Sequence, residues 1–101
     1  MYLARFSYDV LPVNRDRAIE LILREVDAAK GKSLNARLLI PLTRGSSGTP
    51  ALQLEIELTS LDQLEQFRQR GVGSPEEAAD WMHRFSELLL SPPSVEILRV
   101  H

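Results

Sequence analysis

The chain has 101 residues, enough for one domain and too few for two. Twelve Lys and Arg against fourteen Asp and Glu leave a net charge of −2, without the basic excess of a dedicated nucleic-acid binder. Cysteine is absent, which excludes disulfides, thiolate metal sites and a Cys nucleophile.

No apolar run approaches the roughly 20 residues of a membrane span. Arg5 and Asp9 interrupt the opening residues, which therefore do not read as a signal peptide. The expectation is a soluble cytoplasmic domain over residues 1–101, with neither nucleic acid nor membrane as partner. A chain of this size buries only about two-thirds of its unfolded surface. A second apolar face would be hard to hide within one copy.

Tyr2, Ala4, Phe6, Tyr8 and Val10 alternate with Leu3, Arg5, Ser7, Asp9 and Leu11. This period of two predicts a first strand, ended by Pro12, which has no N–H for a ladder. Asn14 offers an N-cap, and Ile19, Ile22, Leu23, Val26 and Ala29 recur at helical spacing. The helix is predicted over 15–30, with Gly31 as the left-handed residue that closes it. A second strand is predicted within 34–43, where Ala36, Leu38 and Ile40 share one face and Asn35, Arg37 and Leu39 the other. The segment 44–50 is a loop by composition. Leu52, Leu54, Ile56 and Leu58 then alternate with Gln53, Glu55, Glu57 and Thr59, a strand with one buried and one polar face.

Ser60 and Gln63 form a capping box for a helix whose stripe is Leu61, Leu64 and Phe67. Ser74-Pro75-Glu76-Glu77 restarts the helix after a break at 71–74. Ala78, Trp81, Met82, Phe85, Leu88 and Leu89 give a wide apolar stripe, and Pro92-Pro93 ends it. Residues 95–100 are the last strand. The order β-α-β-β-α-β in about 100 residues predicts an α+β, ferredoxin-like fold: an antiparallel sheet with its helices on one face.

The other face of that sheet would carry Leu3, Arg5, Ser7, Asp9, Arg37, Leu39, Gln53, Glu55 and Glu57, a mixture of aliphatics and both charges. One reading is a solvated face held by cross-strand ion pairs. The other is that a second copy covers it, so that the chain is a homodimer through its sheet.

With its β-α-β-β-α-β order, broken arm over 60–91 and short terminal strand Ser94-Val-Glu-Ile-Leu-Arg-Val100, the chain resembles the dimeric α+β barrel superfamily. That group includes antibiotic-biosynthesis-type and haem-degrading monooxygenases, stress-responsive barrel proteins and NIPSNAP-like proteins. The resemblance is architectural and brings no signature motif. It implies a dimeric barrel whose ligand site, where one exists, lies between sheet and helices or in the barrel lumen.

Haem-degrading members use an Asn, a Trp and a His, and the chain holds Asn14, Trp81 and His83. The placement differs, since the family Asn sits within the first strand, where this chain has Ser7. His83 falls on the polar side of its helix with Asp80, Arg84 and Glu87, opposite Phe85 and Leu89. Two histidines, His83 and His101, without ligand spacing predict no metal site, and no cofactor is expected. The glycines of 45–48 and 71–73 match no nucleotide-binding loop, and no serine lies in a nucleophile elbow.

Tyr8 and Trp81 are candidate pocket walls, because each has a polar handle on an apolar body. Arg5, Arg37 and Glu55 are candidates for orienting a ligand on the open face, with salt pairing among themselves as the alternative. Two functions stay open: a metal-free binder or oxidising enzyme for an apolar or aromatic small molecule, and a non-catalytic homo-oligomeric module. A pocket of several hundred Å³ bordered by Tyr8, Trp81 and an Arg would favour the first, and a filled interior the second.

Overall fold

The computed structural model describes residues 1–42, 52–70 and 75–101, without the side chains of 64, 67–70 and 75–79. The strands are β1 (Tyr2–Tyr8), β2 (Ala36–Leu39), β3 (Leu52–Leu58) and β4 (Ser94–Arg99). The helices are α1 (Arg15–Gly31), α2 (Leu61–Arg70) and α3 (Pro75–Ser86), with a 3₁₀ turn at Pro12–Asn14. The four strands form one antiparallel sheet in the order β2-β3-β1-β4, the arrangement of a ferredoxin-like α+β fold. The loop expected at 44–50 and the break at 71–74 lie outside the described residues, as do the side chains of Leu64, Phe67 and Ala78.

Register sorts the side chains. Tyr2, Ala4, Phe6 and Tyr8 pair with Leu58, Ile56, Leu54 and Leu52. In β3 all four of these leucines and isoleucines are buried, together with Ala4 and Tyr8. Each fully buried Leu or Ile contributes about 1.5–3 kcal/mol. Above them α1 brings down Ala18, Leu21, Ile22, Val26 and Ala29, and α3 brings Trp81 and Phe85.

Several element details differ from expectation. The buried stripe of α1 runs through Ala18, Leu21 and Glu25, while Leu23 faces out. Met82 is likewise exposed, because Trp81 and Phe85, four residues apart, already set the buried side of α3. β1 stops at Tyr8, and Val10 makes only an isolated bridge to Leu89. Asn14 ends the 3₁₀ turn and makes no side-chain cap bond. Gly31 stays within α1, and the left-handed residue is Ser33 at φ 62°. There the Ser33 N–H donates to the Lys30 carbonyl and the Leu34 N–H to the Ala29 carbonyl, both at 3.0 Å, a Schellman closure. The Gln63 side chain accepts from the Thr59 N–H at 2.8 Å, one residue before the expected partner Ser60.

α1 packs over β2 and β3, whereas β4 packs on β1 alone among the larger contacts. Val95 and Ile97 point to the helix side yet remain 46% and 45% exposed. The molecule spans 37 × 33 × 18 Å, and its thin dimension is that of two layers. Among the described residues, no helix lies over the second sheet face.

Candidate functional site

Period two divides the candidate residues between the two sides of the sheet. Tyr8 lies on the helix side with Trp81 and Phe85. Its ring meets Phe85 edge-on, with centroids 4.7 Å apart and planes at 75°. Phe85 in turn stacks on Trp81 at 5.0 Å and 10°. The Trp81 indole N–H donates to the Leu21 carbonyl of α1 at 2.6 Å. The polar handle expected to greet a ligand is thus spent on tying α3 to α1.

Arg5, Arg37 and Glu55 lie together on the open side. They occupy the middle of β1, β2 and β3, and register sets them in one row with Glu96 of β4. Across the sheet the row reads Arg37, Glu55, Arg5, Glu96, with charge alternating at each strand. The Arg5 guanidinium donates from Nε and Nη2 to Glu55 Oε2, at 3.2 and 3.0 Å. Arg37 Nη2 donates to the other oxygen, Oε1. Glu55 is only 3% exposed, although its side of the sheet is bare. Burial pushes its carboxyl up. Hydrogen bonds from Arg37 and Arg5, with their charges, outweigh that and hold it below the ordinary carboxylate value. Glu55 is therefore a fixed anion and a weak proton acceptor.

Beside the row lies a groove of about 280 Å³, lined by Asn35, Ala36, Arg37, Glu55 and Glu57. The Asn35 amide donates to Glu57 Oε2 at 3.1 Å, and the Asn35 carbonyl accepts from the Glu57 N–H at 2.8 Å. Leu3, Leu39 and Leu98 supply partly buried apolar surface on the same face.

Glu25 escaped the sequence reading. It is 6% exposed on the inner side of α1. Burial raises its carboxyl to about 7, despite an opposing pull from Lys32. Burial also pushes the Tyr8 phenol far above its ordinary value, and the charge of Glu25 adds to that. The signal was available as spacing, since Glu25 falls between Leu21, Ile22 and Ala29 on the apolar stripe.

His83 is on the exposed side of α3, 3.2 Å from Glu87, and Arg84 pairs with Asp80 at 3.1 Å. No cluster of three or more His, Asp or Glu among the described residues could hold a metal ion. No helix among them is long and apolar enough to cross a membrane.

Comparison with solved structures finds the same architecture over the whole chain. Rv0793 from Mycobacterium tuberculosis is 19% identical, with a TM-score of 0.68, covering 100% of this chain and 96% of that one. An antibiotic biosynthesis monooxygenase is 11% identical with a TM-score of 0.71, at 100% and 99% coverage. A NIPSNAP domain protein from Burkholderia xenovorans is 14% identical with a TM-score of 0.68, at 100% and 95%. No protein-family profile and no curated protein sequence matches the chain. With full coverage and low identity, the likeness is one of fold, and the chain shares its ferredoxin-like α+β architecture with these structures.

Proposed function

We propose that the chain is a homodimeric small-molecule-binding domain, closed sheet face to sheet face, which takes an apolar or aromatic ligand against the open face. The observation that carries this reading is Glu55. A carboxylate at 3% exposure, clamped by two guanidiniums on an uncovered sheet, suits a surface that becomes an interior. Covering it would enclose Leu3, Leu39 and Leu98 as apolar walls. The groove at Arg37, Glu55 and Glu57 would offer donors and acceptors to a ligand's hydroxyl or carbonyl. The fold likeness to an antibiotic biosynthesis monooxygenase supports a ligand site in such a frame. Binding rather than oxidation is the reading favoured here, because activating a phenol needs a proton acceptor and Glu55 is a poor one.

The close packing of Tyr8, Phe85 and Trp81 favours a second reading on the helix side, where the aromatics are structural core. If no ligand binds, the protein is a non-catalytic module. Sedimentation at micromolar concentration tests the dimer. A thermal-shift panel of phenols, quinones and aromatic acids tests the ligand. The expected result is a dimer stabilised by at least one aromatic compound, with the gain reduced in Arg37→Ala. A monomer overturns the proposal, and a dimer indifferent to the whole panel leaves the structural module.

A further inference from the structure

The charge row on the open face is complementary to itself in one direction only. Read from edge to edge it is Arg37, Glu55, Arg5, Glu96, so its reverse has the opposite sign at every place. Arg37 is the exposed end on β2, with a side chain 59% accessible and, among the described residues, an ion pair to Glu55 alone. A guanidinium carries five N–H donors, so most remain available. Glu96 is the exposed end on β4 and makes no ion pair among the described residues.

We infer that the second copy docks about a twofold axis running along the strands, so that Arg37 of each protomer meets Glu96 of the other and Arg5 meets Glu55. This rests on the reading that a second copy covers the face, and adds the direction in which it lies. Such an axis reverses the strand order, placing β4 of the second copy over β2 and β1 over β3. All four positions of the row then face opposite charge. The same axis sets Gln53 over Ser7 of the second copy, repeating a pair that each chain already makes at 3.4 Å. An axis across the strands through this row instead places Arg37 over Arg37 and Glu55 over Glu55. Like charges facing each other as a sheet pair closes are strongly unfavourable, so the row selects the first arrangement. Sheets packed face to face also turn by about 30°, and the resulting offset at the edges is one that a long, flexible Arg reaching toward Glu can span.

The chain has no cysteine, which makes the orientation open to direct test. Arg37→Cys and Glu96→Cys are prepared separately, and each is treated with a short bismaleimide alone and after mixing and exchange. Each chain then carries one thiol, so any cross-link is between protomers. In the mixed dimer the second Arg37–Glu96 pair stays intact. The expected result is covalent dimer in the mixture and none in either variant alone. Cross-linking within single variants, or none in any sample while sedimentation shows a dimer, overturns the orientation and leaves the dimer standing. A monomeric wild type overturns the reading beneath it.

A double-mutant cycle on dimerisation provides an independent readout. Within one chain, residues 37 and 96 sit three strand spacings apart, about 14 Å, and on that basis Arg37→Gln and Glu96→Gln should be additive. Pairing between copies makes them non-additive, with the double variant weakened several-fold less than the product of the singles. Strict additivity counts against the inference.

Discussion

Glu25 and Glu55 are both carboxylates, each nearly lost to solvent, and they titrate in opposite directions. Glu25 is surrounded mainly by apolar groups, so folding favours its neutral form. Its contribution to stability is fully present below about pH 4.5, declines as pH rises, and is gone above about pH 7. Glu55 is held between guanidiniums, so folding favours its anion. Its contribution is present above its unfolded value and is lost as pH falls through its lowered folded one. We expect Glu25→Gln to flatten the decline between about pH 4.5 and 7 and to exceed the wild type above pH 7 by on the order of 2 kcal/mol. Urea melts on both sides of that window check it, and an unchanged slope would refute it. Glu55→Gln keeps the shape and removes the charge, and should cost about 1–2 kcal/mol at neutral pH. Its acid limb should become shallower than that of the wild type.

At the scale of elements, the closure of α1 is the least economical piece of the fold. Gly31 lies within the last helical turn, and an added Cβ there meets nothing within 4 Å. Ser33, with a side chain, holds the left-handed position at φ 62°. Glycine is thus two residues from where its freedom is useful. Gly31→Ala should stabilise by about 0.5–1 kcal/mol through helix propensity. Ser33→Gly should gain a similar amount, about 0.5–1 kcal/mol, by relieving the left-handed backbone. Thermal midpoints of both variants check this, with a fall in either counting against the stated geometry. The strands were legible because alternation is a strong signal, and β3 shows it over seven residues. Caps were not, since Asn14 and Gly31 have the favoured chemistry at positions the local turns did not use. Glu25 was missed for a related reason. A charged residue on a helix is read as its solvent edge, although its spacing from Leu21, Ile22 and Ala29 already set it on the buried stripe.

For the molecule as a whole, a thickness of 18 Å means a sheet with one layer of helices and one side without. That much was readable from counting faces against length. The division of the candidate site was readable too, since Tyr8 and Arg5 are an odd number of residues apart on one strand. Which charges meet across strands was not, because it depends on register fixed by distant loops. The proposed dimer adds a whole-molecule expectation. Hydrogen exchange should be slow in the central strands β1 and β3 at any dilution. Amides of Arg37–Leu39 and of Glu96–Leu98 should gain protection as protein concentration rises. Protection of those edges that ignores concentration would speak against their meeting in a dimer.

Trp81 is the chain's single tryptophan, and its indole is joined to α1 and stacked on Phe85. Its emission is therefore a private optical channel for one event, the seating of α3 on α1. The sheet, which has no tryptophan of its own, is followed separately by its amide I infrared band. If the helical arm lifts before the strands part, the emission will shift red ahead of the infrared change. An unmodified chain thus carries its own label for deciding whether arm and sheet come apart together or in sequence.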